Sequence, residues 1–135
     1  TAISNFGPYL NYGLTNSVQG LISGARIADE GANRRKLLIL LSDGVDNPSA
    51  NPTALYNDGL CDTIRDGLNK KTVDGKDVES RIVMIGFDYD PTSNPGLSTC
   101  VGGTDSGNIF RANNSEELKT TILTLINEEI GRLAN

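Results

Sequence analysis

The feature that most constrains this chain is a block of consecutive aliphatic residues, Leu37-Leu38-Ile39-Leu40-Leu41, cut off by Ser42-Asp43-Gly44. Side chains along a strand point alternately to its two faces, so a half-exposed strand alternates apolar and polar residues. An unbroken apolar run of this length instead fits a strand covered on both faces, the usual situation in parallel sheets. It is far short of the roughly 20 residues that cross a bilayer. A second block, Arg81-Ile82-Val83-Met84-Ile85-Gly86-Phe87, has the same character and runs into Asp88-Tyr89-Asp90.

Around these blocks the apolar residues recur at helical spacing. Val18, Leu21, Ile22, Ala25 and Ala28 predict a helix over residues 17–29, with Asn16 or Ser17 as N-cap and Gly31 as its stop. Leu55, Leu60, Ile64 and Leu68 predict a second helix after Pro48 and Pro52, and residues 70–78 are polar with Asp74-Gly75 as their turn. Residues 95–101 predict a short helix and Asn108-Ile109-Phe110-Arg111 a brief third strand. Asn114 with Glu117 makes a capping-box pattern before a last helix, whose apolar stripe is Leu118, Ile122, Leu125, Ile126 and Leu133. Residues 1–13 show no period and read as an irregular lead-in to one domain over residues 1–135. Strands alternating with helices imply right-handed crossovers: an α/β, doubly wound (Rossmann-like) parallel sheet with helices on both faces.

Composition narrows the chemistry. Histidine is absent, which removes Ser-His and Cys-His nucleophile pairs and the commonest general base. Two cysteines cannot make a thiolate zinc site. The net charge of −5 argues against a nucleic-acid partner, and Arg34-Arg35-Lys36 reads as a solvated lead into the first strand. No phosphate-cradling glycine loop joins a strand to a helix, no Gly-x-Ser-x-Gly elbow occurs, and Gly102-Gly103 lacks the required context. A non-catalytic binding domain is the reading these absences favour. The catalytic alternative is a hydrolase or nucleotide-dependent enzyme built on carboxylates.

In open parallel sheets ligands bind outside the carboxyl ends of the strands. Asp43 stands at such an end, followed by a glycine that permits a sharp turn. The stretch Arg35-Lys36-Leu37-Leu38-Ile39-Leu40-Leu41-Ser42-Asp43-Gly44-Val45-Asp46-Asn47 resembles the fourth-strand signature of von Willebrand factor type A (VWA) domains, whose aspartate belongs to a metal-ion-dependent adhesion site. Gly13-Leu14-Thr15-Asn16-Ser17, with Leu21 and Gly24-Ala25-Arg26, resembles that family's threonine loop and following helix. Residues 81–87, 108–112 and 115–133 resemble its next two strands and closing helix. More narrowly, Gly59-Leu60-Cys61-Asp62-Thr63-Ile64-Arg65, Ile85-Gly86-Phe87, Leu97-Ser98-Thr99-Cys100 and Ile130-Gly131-Arg132-Leu133 resemble the TadG-type proteins of tight-adherence (Flp) pilus assembly. The resemblance implies the C-terminal portion of a VWA domain, non-enzymatic, on the periplasmic or surface side of a bacterium. Its parent would be anchored in the inner membrane by one N-terminal helix, and its partner would be a pilus-assembly or surface protein.

The resemblance makes Thr15 and Asp43 metal-site positions. Mg²⁺ takes six oxygens and keeps several waters, so a hydroxyl, a water-bridged carboxylate and an acidic group from a partner suit it. The family's main metal motif, Asp-x-Ser-x-Ser, occurs nowhere in the sequence. Mg²⁺ is therefore expected in an intact parent domain and not in this chain alone. Asp46, Asp88 and Asp90 fall near the same edge, as a Ca²⁺ site or as solvated turn residues; no EF-hand spacing accompanies them. Cys61 and Cys100 are either bridged or two buried thiols. The extracytoplasmic setting favours the bridge, whose loop of about 40 residues corresponds to about 4 kcal/mol. In the VWA strand order, residues 37–41 pair with a first strand on one side and with residues 81–87 on the other. No such first strand is present in the sequence. Residues 37–41 are therefore expected to be covered by an N-terminal half as a separate chain, by a second copy, or by a rearranged residues 1–13 segment.

Overall fold

The structure, a computed structural model, describes residues 16–44, 52–94 and 96–133. Thr15, Asp46 and residues 1–13 lie outside them. Helix α1, Ser17–Glu30, begins where Asn16 Oδ1 accepts the Gln19 N–H at 3.2 Å. It stops at Gly31, which leaves in an extended conformation (φ −70°) and not through a left-handed turn. Strand β1, Arg35–Ser42, follows. After it come α2, Pro52–Asn57; α3, Leu60–Asn69; and a small antiparallel hairpin of β2, Thr72–Val73, and β3, Lys76–Asp77. Strand β4, Glu79–Phe87, leads through a 3-10 turn, Pro91–Ser93, to α4, Leu97–Cys100. Strand β5, Ile109–Ala112, and α5, Ser115–Leu133, complete the described chain.

The three long strands form a parallel sheet in the order β1-β4-β5. Register runs from Arg35 opposite Glu79 to Ser42 opposite Gly86, and from Met84 opposite Ile109 to Phe87 opposite Ala112. Helices cover both faces. On one, Leu38, Ile82 and Met84 pack with Val18 and Leu21 of α1, Tyr56, Leu68, Leu97 and Val101. On the other, Val83, Ile85 and Ala112 pack with Leu125 of α5, joined by Leu37, Ile39, Phe110, Leu118 and Ile122. The unbroken apolar runs thus send alternate residues into two different cores. Ile82, Val83, Met84 and Ile85 are each no more than 1% exposed, and burying each contributes roughly 1.5–3 kcal/mol.

Several details depart from the sequence expectation. The helix expected over Leu55 to Leu68 is two helices, because Gly59 adopts φ 90° and turns the chain between them. Residues 70–78 contain a hairpin whose turn is Asp74 (φ 53°) and Gly75 (φ 77°), the positive-φ pair of a two-residue hairpin loop. Arg35 and Lys36 are not solvated. Arg35 Nε and Nη2 donate to Glu129 Oε2 at 3.0 and 2.7 Å, and Lys36 donates to the Gly31 carbonyl. With Arg81, whose Nη1 donates to Glu128 Oε2 at 2.9 Å, Arg35 pins α5 to the amino end of the sheet. On α5, Leu118, Ile122 and Leu125 pack as expected, but Ile126 and Leu133 are 42% and 50% exposed.

Cys61 of α3 and Cys100 of α4 form a disulfide, their Cα atoms 5.2 Å apart and both residues 2% exposed. Arg65 Nη1 adds a hydrogen bond to the Cys100 carbonyl at 2.8 Å. Among the described residues, β1 pairs with β4 alone. No described helix is long and apolar enough to cross a membrane.

Candidate functional site at the carboxyl edge

Because Ser42 lies opposite Gly86 in register, β1 and β4 end together and Asp43 and Asp88 leave the sheet from adjacent strands. The Ser42 hydroxyl organises the first exit: it donates to the Gly44 carbonyl at 2.7 Å and accepts the Gly44 N–H at 3.3 Å. That local turn directs the intervening Asp43 to solvent. Its carboxylate makes no hydrogen bond or ion pair with a described residue. Helix α1 begins at the same edge. Asn16, Ser17 and Gly20 face Leu40, Leu41, Ser42 and Asp43 across a cleft of about 290 Å³. Asn16 Oδ1 is already used as the helix cap, and the Ser17 hydroxyl is hydrogen-bonded to Tyr56 Oη. Asp43 is therefore the available carboxylate of the cleft. Thr15 directly precedes Asn16 in sequence but is outside the described residues.

The exit from β4 is built differently. Gly86 has no side chain where the following turn folds back: a Cβ there would stand 2.7 Å from Pro91 Cδ and closer still to the Tyr89 carbonyl oxygen. Asp88 takes a left-handed conformation (φ 49°) and donates its N–H to the Ala112 carbonyl at 2.7 Å. Asp90 Oδ1 accepts from Thr92 Oγ1 at 2.7 Å and from Thr92 N–H at 3.0 Å. These bonds, the side-chain one foremost, hold the Asp90 carboxyl below the usual carboxylate range against the opposing effect of desolvation, with the Arg111 charge the least of the contributions. Asp90 is thus committed to capping the 3-10 turn, and Asp88 is exposed at the neighbouring exit. Asp46 lies outside the described residues.

Of the expected site positions, the fold therefore sets Asp43 beside the start of α1, immediately after Thr15, and turns Asp90 to a structural task. Among the described residues no group of three acidic, cysteine or histidine side chains is placed to hold a metal ion. Two contributors escaped the sequence reading: Ser42, whose hydroxyl shapes the Asp43 turn, and Gly86, which admits the fold-back after β4. A glycine interrupting an otherwise apolar buried strand was the available signal for the second. No family model matches the chain, and neither a curated protein nor a solved structure does.

Proposed function

We propose that this chain is a non-catalytic binding and assembly domain of VWA type, acting on the non-cytoplasmic side of a bacterial cell in a tight-adherence pilus system. Its carboxyl edge engages an acidic protein partner. The observation that carries this reading is the exposed Asp43 carboxylate at the end of a central-type apolar strand, across one cleft from the start of α1 that follows Thr15. The buried Cys61–Cys100 bridge supports an oxidising compartment.

One free carboxylate does not make a tight Mg²⁺ site, since that ion takes six oxygens in near-octahedral geometry. Asp43 fits as one weak or water-bridged ligand, with Thr15 and a partner's acidic side chain supplying others. Metal and partner are then bound together, and the ion contributes charge neutralisation between two carboxylates. The test is Mn²⁺ titration followed by NMR. The expected result is selective broadening of the Asn16, Ser17 and Ser42 to Gly44 amides that disappears in Asp43→Ala. Broadening unchanged in Asp43→Ala, or absent from these amides, would refute the metal-assisted reading. A second reading, a purely structural domain whose metal site has decayed, is favoured by the missing Asp-x-Ser-x-Ser motif and is what the latter result would select.

A further inference from the structure

We infer that the buried Cys61–Cys100 bridge is a redox gate on the carboxyl-edge cleft: the wall opposite Asp43 takes its shape only once the two thiols are joined. The gate rests on the binding reading of that cleft for its consequence, a domain that engages its partner only after oxidation. Its geometry stands whether or not a metal takes part.

The bridge lies at one end of a row of contacts. Cys100 closes α4, a helix of four residues, far too short to be stable through its own backbone bonds. Those bonds are local: the Cys100 N–H donates to the Gly96 carbonyl at 3.1 Å and the Val101 N–H to the Leu97 carbonyl at 3.3 Å. What fixes α4 to the body is the burial of Leu97 and Val101, the hydrogen bond from Arg65 to the Cys100 carbonyl, and the bridge to α3. Of these only the bridge is covalent.

The start of α4 rests on α2. Gly96 takes a left-handed conformation (φ 82°) and has no side chain where α2 passes. An added Cβ would stand 3.1 Å from Tyr56 Cβ and 3.3 Å from the Thr53 carbonyl oxygen. Tyr56 is 2% exposed, and its hydroxyl is hydrogen-bonded to that of Ser17. Ser17 is the first residue of α1 and lines the cleft together with Asp43. Bridge, α4, α2 and the start of α1 thus form one row ending in the cleft. The other wall is held independently. Leu40, Leu41 and Ser42 lie in register with Met84, Ile85 and Gly86 of β4, and Ser42 makes its own turn with Gly44. A change at the bridge therefore moves one wall against a fixed one.

The closing step is thiol–disulfide exchange with a donor of class R–S–S–R. One cysteine thiolate attacks the donor and expels R–S⁻, and the second cysteine then displaces the other R–S⁻ from the mixed disulfide. Two protons and two electrons leave the chain, and the donor ends as two thiols. Both cysteines are 2% exposed in the joined form, so a reducing thiol reaches the bridge only when α4 lifts from the core. Disulfide donors prevail in oxidising compartments, and a chain still among reducing thiols keeps the cleft unformed.

The test compares the ¹⁵N-labelled chain in its bridged form with the chain refolded from urea in excess reductant, following amide exchange in both. The expected result is exchange at Gln19, Gly20 and Leu21 of α1 and at Val101 faster by about tenfold or more in the reduced form. Val83 and Ile85 in the sheet stay protected, and oxidised glutathione restores the bridged pattern. Tyr56→Phe, with the bridge intact, speeds exchange at the start of α1 and leaves Val101 as in the parent, which places Tyr56 between bridge and cleft. Three results would overturn the gate. One is α1 exchange that is the same in both forms. Another is loss of protection at Val83 and Ile85 as well, which makes the bridge a staple of the whole fold. The third is a Tyr56→Phe chain with α1 exchange like the parent. Mn²⁺ titration of the bridged chain is untouched by any of them, so the two proposals fail separately.

Discussion

One substitution, made at two glycines, separates packing from propensity in this fold. Gly86 lies in β4 between Ser42 and Arg111, and an added methyl meets Pro91 Cδ at 2.7 Å, Pro91 Cγ at 3.1 Å and the Tyr89 carbonyl oxygen closer than either. All three obstacles belong to a proline ring or a backbone carbonyl, which cannot swing aside as a flexible side chain would. Relief requires moving the whole turn after β4 by about 1 Å, so Gly86→Ala is expected at the upper end of the overpacking range, about 3 kcal/mol destabilising. Gly67 lies in α3, where an added methyl meets nothing within 4 Å. Gly67→Ala gains helix propensity and is expected to stabilise by about 0.5–1 kcal/mol. For a chain of 135 residues, with an unfolding entropy of about 2.1 cal/mol/K per residue, about 3 kcal/mol corresponds to a loss of about 10 °C in Tm. Urea unfolding followed by circular dichroism gives both free energies, and the Thr92 and Ser93 amide shifts report displacement of the turn. Gly86→Ala within about 0.5 kcal/mol of the parent would refute the view that the missing side chain is what lets the turn fold back.

Replacing both cysteines (Cys61→Ala with Cys100→Ala) is expected to cost about 4 kcal/mol, because the bridge closes a loop of 39 residues in the unfolded chain; a loss under about 1 kcal/mol in urea unfolding would contradict this. Glu129→Ala leaves Arg35, 8% exposed, with Glu79 as its remaining carboxylate. A loss of about 2–3 kcal/mol is expected by the same assay, most of it the penalty of an under-compensated buried cation. The Asp90 carboxyl is held low in the folded state, so its contribution to stability is present above its unfolded pKa and is lost as pH falls through its folded pKa. Thr92→Val removes the larger of the causes, and side-chain carboxyl NMR titration should show the Asp90 pKa rise towards the ordinary range; no rise would exclude the Thr92 hydroxyl as the cause.

The sheet was legible because its two apolar blocks have no other economical use: each residue of 37–39 and 82–85 ends in one of the two cores. The last helix was legible at its start, where Asn114 Oδ1 accepts the Glu117 N–H at 2.9 Å. Its outer stripe was misread, since Ile126 and Leu133 fit the same 3.6-residue period as Leu118 and Leu125 whether or not a neighbour covers them. The break at Gly59 was hidden because Leu55, Leu60, Ile64 and Leu68 stay roughly in phase through a glycine that periodicity does not penalise. The burial of Arg35 was hidden because its partner Glu129 comes from the last helix, and that of Lys36 because the sequence does not show the α1–β1 turn bringing the Gly31 carbonyl back to it. At the carboxyl edge, position in a parallel sheet pointed to Asp43. The capping role of Asp90 had a local signal that went unread: Asp90 directly before Pro91, with Thr92 two residues on, is the N-cap pattern that the structure shows.

The division of the interior by the sheet has a consequence for how the molecule opens. On one face, α1, α3 and α4 share a core tied by the Cys61–Cys100 bridge. On the other, α5 stands alone and fully buries only Leu125 and Glu129 of its own length. Sub-global unfolding follows the weakest such boundary, which makes release of the C-terminal helix the lowest rung of the ladder of partly open forms. In that form the stapled half keeps its structure while Val83, Ile85 and Phe110 become a bare sheet surface. Limited proteolysis and self-association of this protein would both begin there, at a helix that the disulfide does not tie to the rest.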